Sequence, residues 1–398
     1  MSDGTGRGDS DKGGLSEVDQ SLRAAPAKIA EKDGRFPIRR LVKPALRLCA
    51  LLLVCWGVWQ SVRNSGDALE LQQTELLNEA ETLERRAEDI ERGVGGSAAP
   101  DGDAEALRAQ AAAIREQSRK FWRPKPIYLL GAAGLYACAM LPASLFWRRC
   151  LVVLDQVHDL FDTLWAYFYG NLGKYFPGKA MVIVLRLGAL EHHGIQKTAT
   201  AMTIFVETLT MMSVGAAAGA VCVLWLNLDW RLSALAVGLL AATAIPTAPP
   251  VLRFLLPRIQ KGVAEERLAS WTKQLSWPLF LRGWAMLSVG WILNGLSLTF
   301  VLQSLPSSNI DAQDWWTLYV SATGACSLAV VAGFLSLIPG GAGVREVVLS
   351  LVLTPVVGPI AALCGALWMR LVWLATELSI VGILFVLKLG RGVRNRAV

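Results

Sequence analysis

Seven stretches of this chain are apolar over lengths that suit a bilayer: residues 45–62, 127–147, 198–226, 231–256, 279–305, 315–337 and 360–387. A hydrocarbon core of roughly 30 Å takes about 20 apolar helical residues to cross. No water reaches backbone N–H and C=O groups there, so the backbone must satisfy itself. The expected fold class is therefore all-α: a polytopic transmembrane helix bundle with two broken, re-entrant Pro-Gly elements and an extramembrane helical hairpin. Composition agrees, with 53% hydrophobic and 18% charged residues. The 15 tryptophans suit interfacial anchoring. The net charge of +7 does not indicate nucleic-acid binding, because the cations cluster beside apolar runs as the positive-inside rule requires.

The chain divides by composition. Residues 1–43 are rich in Gly, Ser and Asp, then basic (Arg35, Arg39, Arg40, Lys43), and read as a disordered cytoplasmic arm. Residues 44–62 form the first transmembrane helix; a long polar arm precedes it and no A-x-A site follows, so it reads as a retained anchor. Residues 63–122 read as an antiparallel, coiled-coil-like hairpin on the outer side. Leu69, Leu76, Leu83 and Ile90 recur every seven residues, with Gln73, Ala80 and Ala87 on the same seam. A break at 93–102 follows, then a stripe of Leu107, Ala111, Ile114 and Phe121. The seam is thin, so a protein partner or the membrane-domain surface would complete it. Residues 123–390 form the main transmembrane domain, and 391–398 a basic cytoplasmic tail. The basic loop around Arg253, Arg258, Lys261, Arg267 and Lys273 and the tail place both termini on the cytoplasmic side.

Two interruptions fall within the apolar runs. The first is Gly173-Lys174-Tyr175-Phe176-Pro177-Gly178-Lys179, preceded by Asn171 and followed by Arg186. The second is Ile338-Pro339-Gly340-Gly341-Ala342-Gly343-Val344-Arg345-Glu346. Non-helical backbone at membrane depth survives only where protein shields it or where it lines a polar cavity. Interrupted segments in corresponding halves point to a ligand site near the midplane.

Charges also stand where a bilayer would resist them: Arg186, Glu207, Arg345, Glu346, Arg370 and Glu377. Each costs about 2.5–3.5 kcal/mol at mid-bilayer on insertion scales. Two readings remain open. Internal pairing, Glu207 or Glu346 with Arg370 or Arg186, would fix helix register. Alternatively Lys174, Lys179, Arg186, Arg345 and Arg370 converge on an anion such as a lipid phosphate. Backbone N–H groups after Pro177-Gly178 and Pro339-Gly340 would add donors.

Other motifs carry less. Gly173-x-x-x-x-Gly178-Lys179 mimics a nucleotide loop, but Ala180 stands where Ser or Thr would hold magnesium. Glu191-His192-His193 reads as a solvated turn, since adjacent histidines diverge on a helix and only His158 remains elsewhere. Asp155, Asp159 and Asp162 lie at helical spacing before the first break and are general-base candidates, though the polar face of an interfacial helix explains them as well. The seven cysteines form no CxxC pair and read as small buried hydrophobes. No catalytic constellation, cofactor or metal is expected.

The elements Asn171-x-x-Lys174-Tyr175-x-Pro177-Gly178-Lys179 with Arg186, then Glu207, then Pro339-Gly340-Gly341-x-Gly343-x-x-Glu346, then Arg370, carry a family resemblance over about residues 127–387. The chain resembles the membrane region of lysylphosphatidylglycerol synthase, shared with a flippase-like family of integral membrane proteins. Many relatives carry Val-Trp at Ala180-Met181 and Gly at Leu185. The resemblance leaves out the arm and the hairpin. It implies a transporter in the bacterial plasma (inner) membrane, moving a phospholipid or lipid-linked intermediate between leaflets. Partners would be membrane lipids with anionic or zwitterionic headgroups, with a homo-oligomer compatible. Lys174, Lys179, Arg186, Arg345 and Arg370 would contact the headgroup, and Glu207 and Glu346 would balance charge or accept an ammonium group. Asn171, Tyr175, Pro177, Gly178, Pro339, Gly340, Gly341 and Gly343 would shape the breaks. The aminoacyl-transferase domain of the synthases has no room here, so no enzymatic activity is expected. A membrane scaffold for a glycosyltransferase or envelope-biogenesis complex is the alternative.

Overall fold

The computed structural model describes residues 74, 77–92, 101–120, 124–156, 159–176, 180–191, 194–227, 229–252, 254, 265–306, 310, 312–336, 338, 341 and 343–394. The chain splits into two units, Met1–Cys49 and Ala50–Val398. The first lies outside the described residues, as do the 45–62 span, Pro177, Gly178, Lys179, the three histidines, Pro339 and Gly340. All that follows concerns the second unit.

Two helices come first, α1 (77–91) and α2 (Asp101–Lys120). Arg108 pairs with Glu91 at 2.6 Å and Arg115 with Glu84 at 2.7 Å, so the two run antiparallel. Ala80, Ala87, Ala104 and Ala111 are buried. Leu83, Ile90, Leu107 and Ile114 flank them half-buried. The small alanine side chains let the two backbones approach closely.

The rest is a bundle of α3 (Pro126–Val153), α4 (Leu160–Asn171), α5 (Ala180–Leu190), α6 (Lys197–Trp225), α7 (Trp230–Thr247), α8 (Glu265–Gln274), α9 (Trp277–Ser304), α10 (Trp315–Leu335), α11 (Val344–Val357) and α12 (Pro359–Arg394). Six of these are long and apolar enough to cross a membrane: α3, α6, α7, α9, α10 and α12. No strand occurs among the described residues. The protein is an all-α, multi-pass membrane protein, and the six helices coincide with six of the seven apolar runs.

The span expected over 231–256, bent by Pro246, Pro249 and Pro250, interrupts its regular helix after Thr247, with helical backbone resuming at 249. Pro249 and Pro250 lack the N–H groups that would continue the ladder, and each restricts the residue before it. At its start, Asp229 Oδ1 accepts from the Arg231 N–H at 2.8 Å and caps the helix.

The core lies where α3, α6, α9 and α10 meet. α10 is the most enclosed span, buried on nearly every side from Leu318 to Val331. Such a helix is apolar all round because it has no solvent face. α3 and α9 pack along their lengths, burying Phe146, Trp147, Leu287 and Leu298. The Gly215/Gly219 pair on α6 does what small-xxx-small spacing permits. A Cβ on Gly215 would lie 2.3 Å from the Trp291 ring, and one on Gly219 2.7 Å from Leu328. Trp225 meets Trp316 edge-on, and Trp315 stacks on Tyr319, forming an exposed aromatic cluster where α6 ends and α10 begins. That placement suits a membrane interface.

Candidate functional site

The first break lies between α4 and α5, which pack against each other as a hairpin. α4 passes into a 3₁₀ turn, Leu172–Tyr175, and the helix restarts at Ala180. Gly173 allows this turn: a Cβ there would sit 2.5 Å from the Val182 backbone nitrogen. Lys174, in the turn, pairs with Glu377 on α12. Tyr136 from α3 donates to the same carboxylate, and Tyr175 donates to its other oxygen at 3.1 Å. Tyr136 also stacks on Trp373, one helical turn before Glu377, with ring centroids 4.3 Å apart. One buried carboxylate thus ties the first break and α3 to the last helix.

Arg186 on α5 pairs with Glu207 on α6 at 2.9 Å, with side chains 3% and 1% exposed. The guanidinium lies over the rings of Trp147 and Tyr167, 4.7 and 4.3 Å from their centroids. Its methylenes fill the space over Gly170. Stacking between aromatic faces suits Arg rather than Lys.

The second break is a closed lock. Gly341 and Gly343 have φ of 66° and 83°, which favours glycine at both. Glu346 Oε2 accepts the Gly343 N–H at 2.9 Å, and Oε1 takes Arg370 Nε at 2.6 Å. Arg370 also donates to the Gly341 carbonyl at 3.4 Å. Of the two sequence-level pairings left open, these are the ones made: Glu207 with Arg186, and Glu346 with Arg370.

Between the breaks lies a chamber of about 440 Å³. Its polar lining is Tyr136, Tyr167, Asn171, Lys174, Arg186, Glu207, Thr208, Asn294 and Arg345. Apolar walls come from residues such as Met140, Ile183, Met212, Leu287 and Trp291. Phe205 and Ile338 line it while being 48% and 40% exposed, so it reaches the apolar flank of the bundle. Glu346, Arg370, Glu377 and Tyr175 support this chamber from outside its lining.

Arg345 differs from its neighbours. It crosses Gly333 and Gly341, whose missing Cβ atoms would each come within 2.9 Å of its side chain. It pairs with no carboxylate among the described residues, and its buried Nε has no hydrogen-bond partner. It lies close enough to Lys174 and Arg370 to act on both electrostatically. Arg186 Nε and Asn294 Oδ1 are likewise buried without partners.

Sequence reasoning marked Glu377 as a misplaced charge but gave it no role, and it passed over Tyr136, Tyr167 and Asn294. The available signal for Asn294 was an amide in the middle of an apolar run. Among the described residues no group of three His, Cys, Asp or Glu could hold a metal.

A family model of the lysylphosphatidylglycerol synthase TM region matches residues 104–380. The chain belongs to that family. The match begins inside α2, so most of the second helix of the N-terminal pair falls within it, whereas the resemblance read from motifs began at about 127. It covers both breaks and every charged residue of the chamber. No curated protein matches the chain.

Proposed function

We propose that this protein moves a phospholipid, or a lipid-linked intermediate, between leaflets, with the headgroup passing through the chamber. The observation that carries the reading is the combination of Lys174, Arg186 and Arg345 in one cavity whose rim, at Phe205 and Ile338, is exposed and apolar. Binding cavities of a few hundred Å³ suit small polar groups. Here a headgroup fits inside while acyl chains stay against the apolar rim. A bacterial inner membrane with both termini cytoplasmic completes the picture.

The ion pairs supply the parts that must move. Lys174 faces the chamber and Glu377 alike. A lipid phosphate entering the chamber competes with Glu377 for Lys174 and loosens the tie between the first break and α12. The second break, locked by Glu346 and Arg370, stays put as a frame. A ligand shifts such an equilibrium only by its differential affinity for the two states, and Lys174 is where that difference arises.

Translocation of acyl-labelled lipid in proteoliposomes tests this, with dithionite quenching the outer leaflet. Wild-type protein is expected to raise the exposed fraction well above protein-free liposomes, and Lys174→Gln to slow it at least tenfold. A wild-type rate equal to protein-free liposomes rejects the proposal.

A second reading rests on α1 and α2. Their shared seam is alanine, which buries little apolar area, and Leu77 is 40% exposed. Such a pair suits capture of a protein partner. Deleting residues 67–119 separates the readings: partner capture would be lost while lipid movement persists.

A further inference from the structure

Among the described residues three cations of the site are paired, and they are not equally free to leave. Arg186 is held between the rings of Trp147 and Tyr167 as well as by Glu207. Arg370 lies outside the chamber lining, on Glu346 and the Gly341 carbonyl. Lys174 lines the chamber with its side chain 24% exposed, whereas its partner Glu377 is 2% exposed and lies behind the lining. A lysine ammonium is a point charge on a flexible stem and can turn from one acceptor to another. In this pair the cation faces the chamber and the carboxylate does not.

The other groups around Glu377 do not take the place of Lys174. Tyr136 of α3 and Tyr175 of the 3₁₀ turn donate to the carboxylate, the second at 3.1 Å, but they bring donors rather than charge. Arg345 of α11 and Arg370 of α12 act electrostatically on Tyr175. Arg370 is committed to Glu346, and Arg345 is laid across Gly333 and Gly341, so both stay in place whether or not Lys174 is engaged. An anion that draws Lys174 into the chamber therefore leaves Glu377 as a buried carboxylate without a paired cation. Such a group neutralises itself by taking a proton rather than standing charged in an apolar surround. Intramembrane carboxylates serve as proton relays in pumps and transporters.

We propose that Glu377 is a proton-binding site, and that the chamber takes its anion together with one proton. This rests on reading the chamber as a headgroup site. The charges balance at each stage. Before entry the Lys174 ammonium cancels the Glu377 carboxylate. After entry the ammonium cancels the phosphate, and Glu377 is a neutral acid. Tyr136 supplies the route, since it lines the chamber, donates to Glu377 and has its hydroxyl 3.5 Å from Lys174 Nζ. It passes its proton to Glu377 and regains one from the chamber. The acid gives the proton up when Lys174 returns.

Isothermal titration calorimetry of detergent-purified full-length protein with dihexanoylphosphatidylglycerol, in two buffers of different ionisation enthalpy, counts the protons bound with each lipid. The probe's phosphodiester is ionised throughout the neutral range and takes up none itself. Wild type is expected to take up about one proton per lipid, and its affinity to fall about tenfold for each unit of rising pH. Glu377→Gln is permanently neutral at this position. It should take up no proton, bind with little dependence on pH, and bind more tightly than wild type at the alkaline end. Lys174→Gln should bind more weakly and also take up none, because Glu377 then holds its proton before the lipid arrives. That second variant decides the matter if Glu377→Gln fails to fold. Lipid binding by wild type without proton uptake overturns the proposal and leaves the headgroup reading intact, as does uptake that persists in either folded variant. Absence of binding at every pH rejects both.

Discussion

Arg186 shows how this bundle holds a charge that lipid would not tolerate. Its guanidinium lies on two aromatic faces, and one carboxylate, Glu207, neutralises it. Removing one partner of a buried pair strands the other, at a cost of about 3–5 kcal/mol, while removing both together is often neutral. Glu207→Leu is therefore expected to lower thermal stability sharply, and Arg186→Leu/Glu207→Leu to recover most of the loss. Tryptophan fluorescence during heating in detergent measures both. A double variant no more stable than the single one would show that the pair contributes by something other than charge. The misplaced charges were visible in sequence because each stood in an apolar run. Their partners were less visible. Glu346 reaches Gly343, three residues away, a local contact the Gly-x-x-Glu spacing suggests. Lys174 reaches Glu377, 203 residues away, and no local pattern contains that information.

The two breaks are built differently. The second is fastened internally and to α12 by Glu346, Arg370 and the Gly341 carbonyl. The first depends on the Glu377 carboxylate for its links to α12 and α3. Farther along, Arg391 of α12 meets Asp159 at 3.2 Å and lies over the Phe161 ring, but that contact is exposed and worth little. Glu377→Gln removes the charge while keeping hydrogen-bonding capacity. It is expected to raise amide exchange of α4, the 3₁₀ turn and α5, leaving α9 unchanged, because local opening follows loss of buried ties. Hydrogen–deuterium exchange of the protein in nanodiscs measures it. Unchanged protection of residues 160–190 would mean that Glu377 does not hold the first break. Element positions were largely legible: apolar length set six spans, and glycine and proline set the breaks. The bend in the 231–256 span was legible as well, because Pro249 and Pro250 cannot continue the hydrogen-bond ladder past Thr247.

At the scale of the molecule, sequence reading reached the family, and the family match over residues 104–380 bears it out. It left two readings of the intramembrane charges open, internal pairing and convergence on an anion. Among the described residues the pairing is made: Glu207 with Arg186, Glu346 with Arg370 and Glu377 with Lys174, and the pair of Arg370 with Glu346 sits beside the chamber rather than in its lining. Among the described residues Arg345 pairs with no carboxylate and Asn294 Oδ1 has no hydrogen-bond partner, and neither can be recognised without knowing the neighbours. Lateral access was equally hidden, since it depends on which flank of α5 and α6 leaves Phe205 exposed.

The central claim is that lipid passes through this chamber, and blocking it tests that claim most directly. Ile183 on α5 lines the chamber and is half-buried, so Ile183→Cys places a thiol in its wall. Lipid translocation in proteoliposomes is measured for this variant before and after labelling with a bulky, charged methanethiosulfonate, with wild type treated identically to account for the native cysteines. The account predicts that labelling drops the Ile183→Cys rate to that of protein-free liposomes and leaves wild type active. Translocation that continues undiminished through a fully labelled chamber would contradict it.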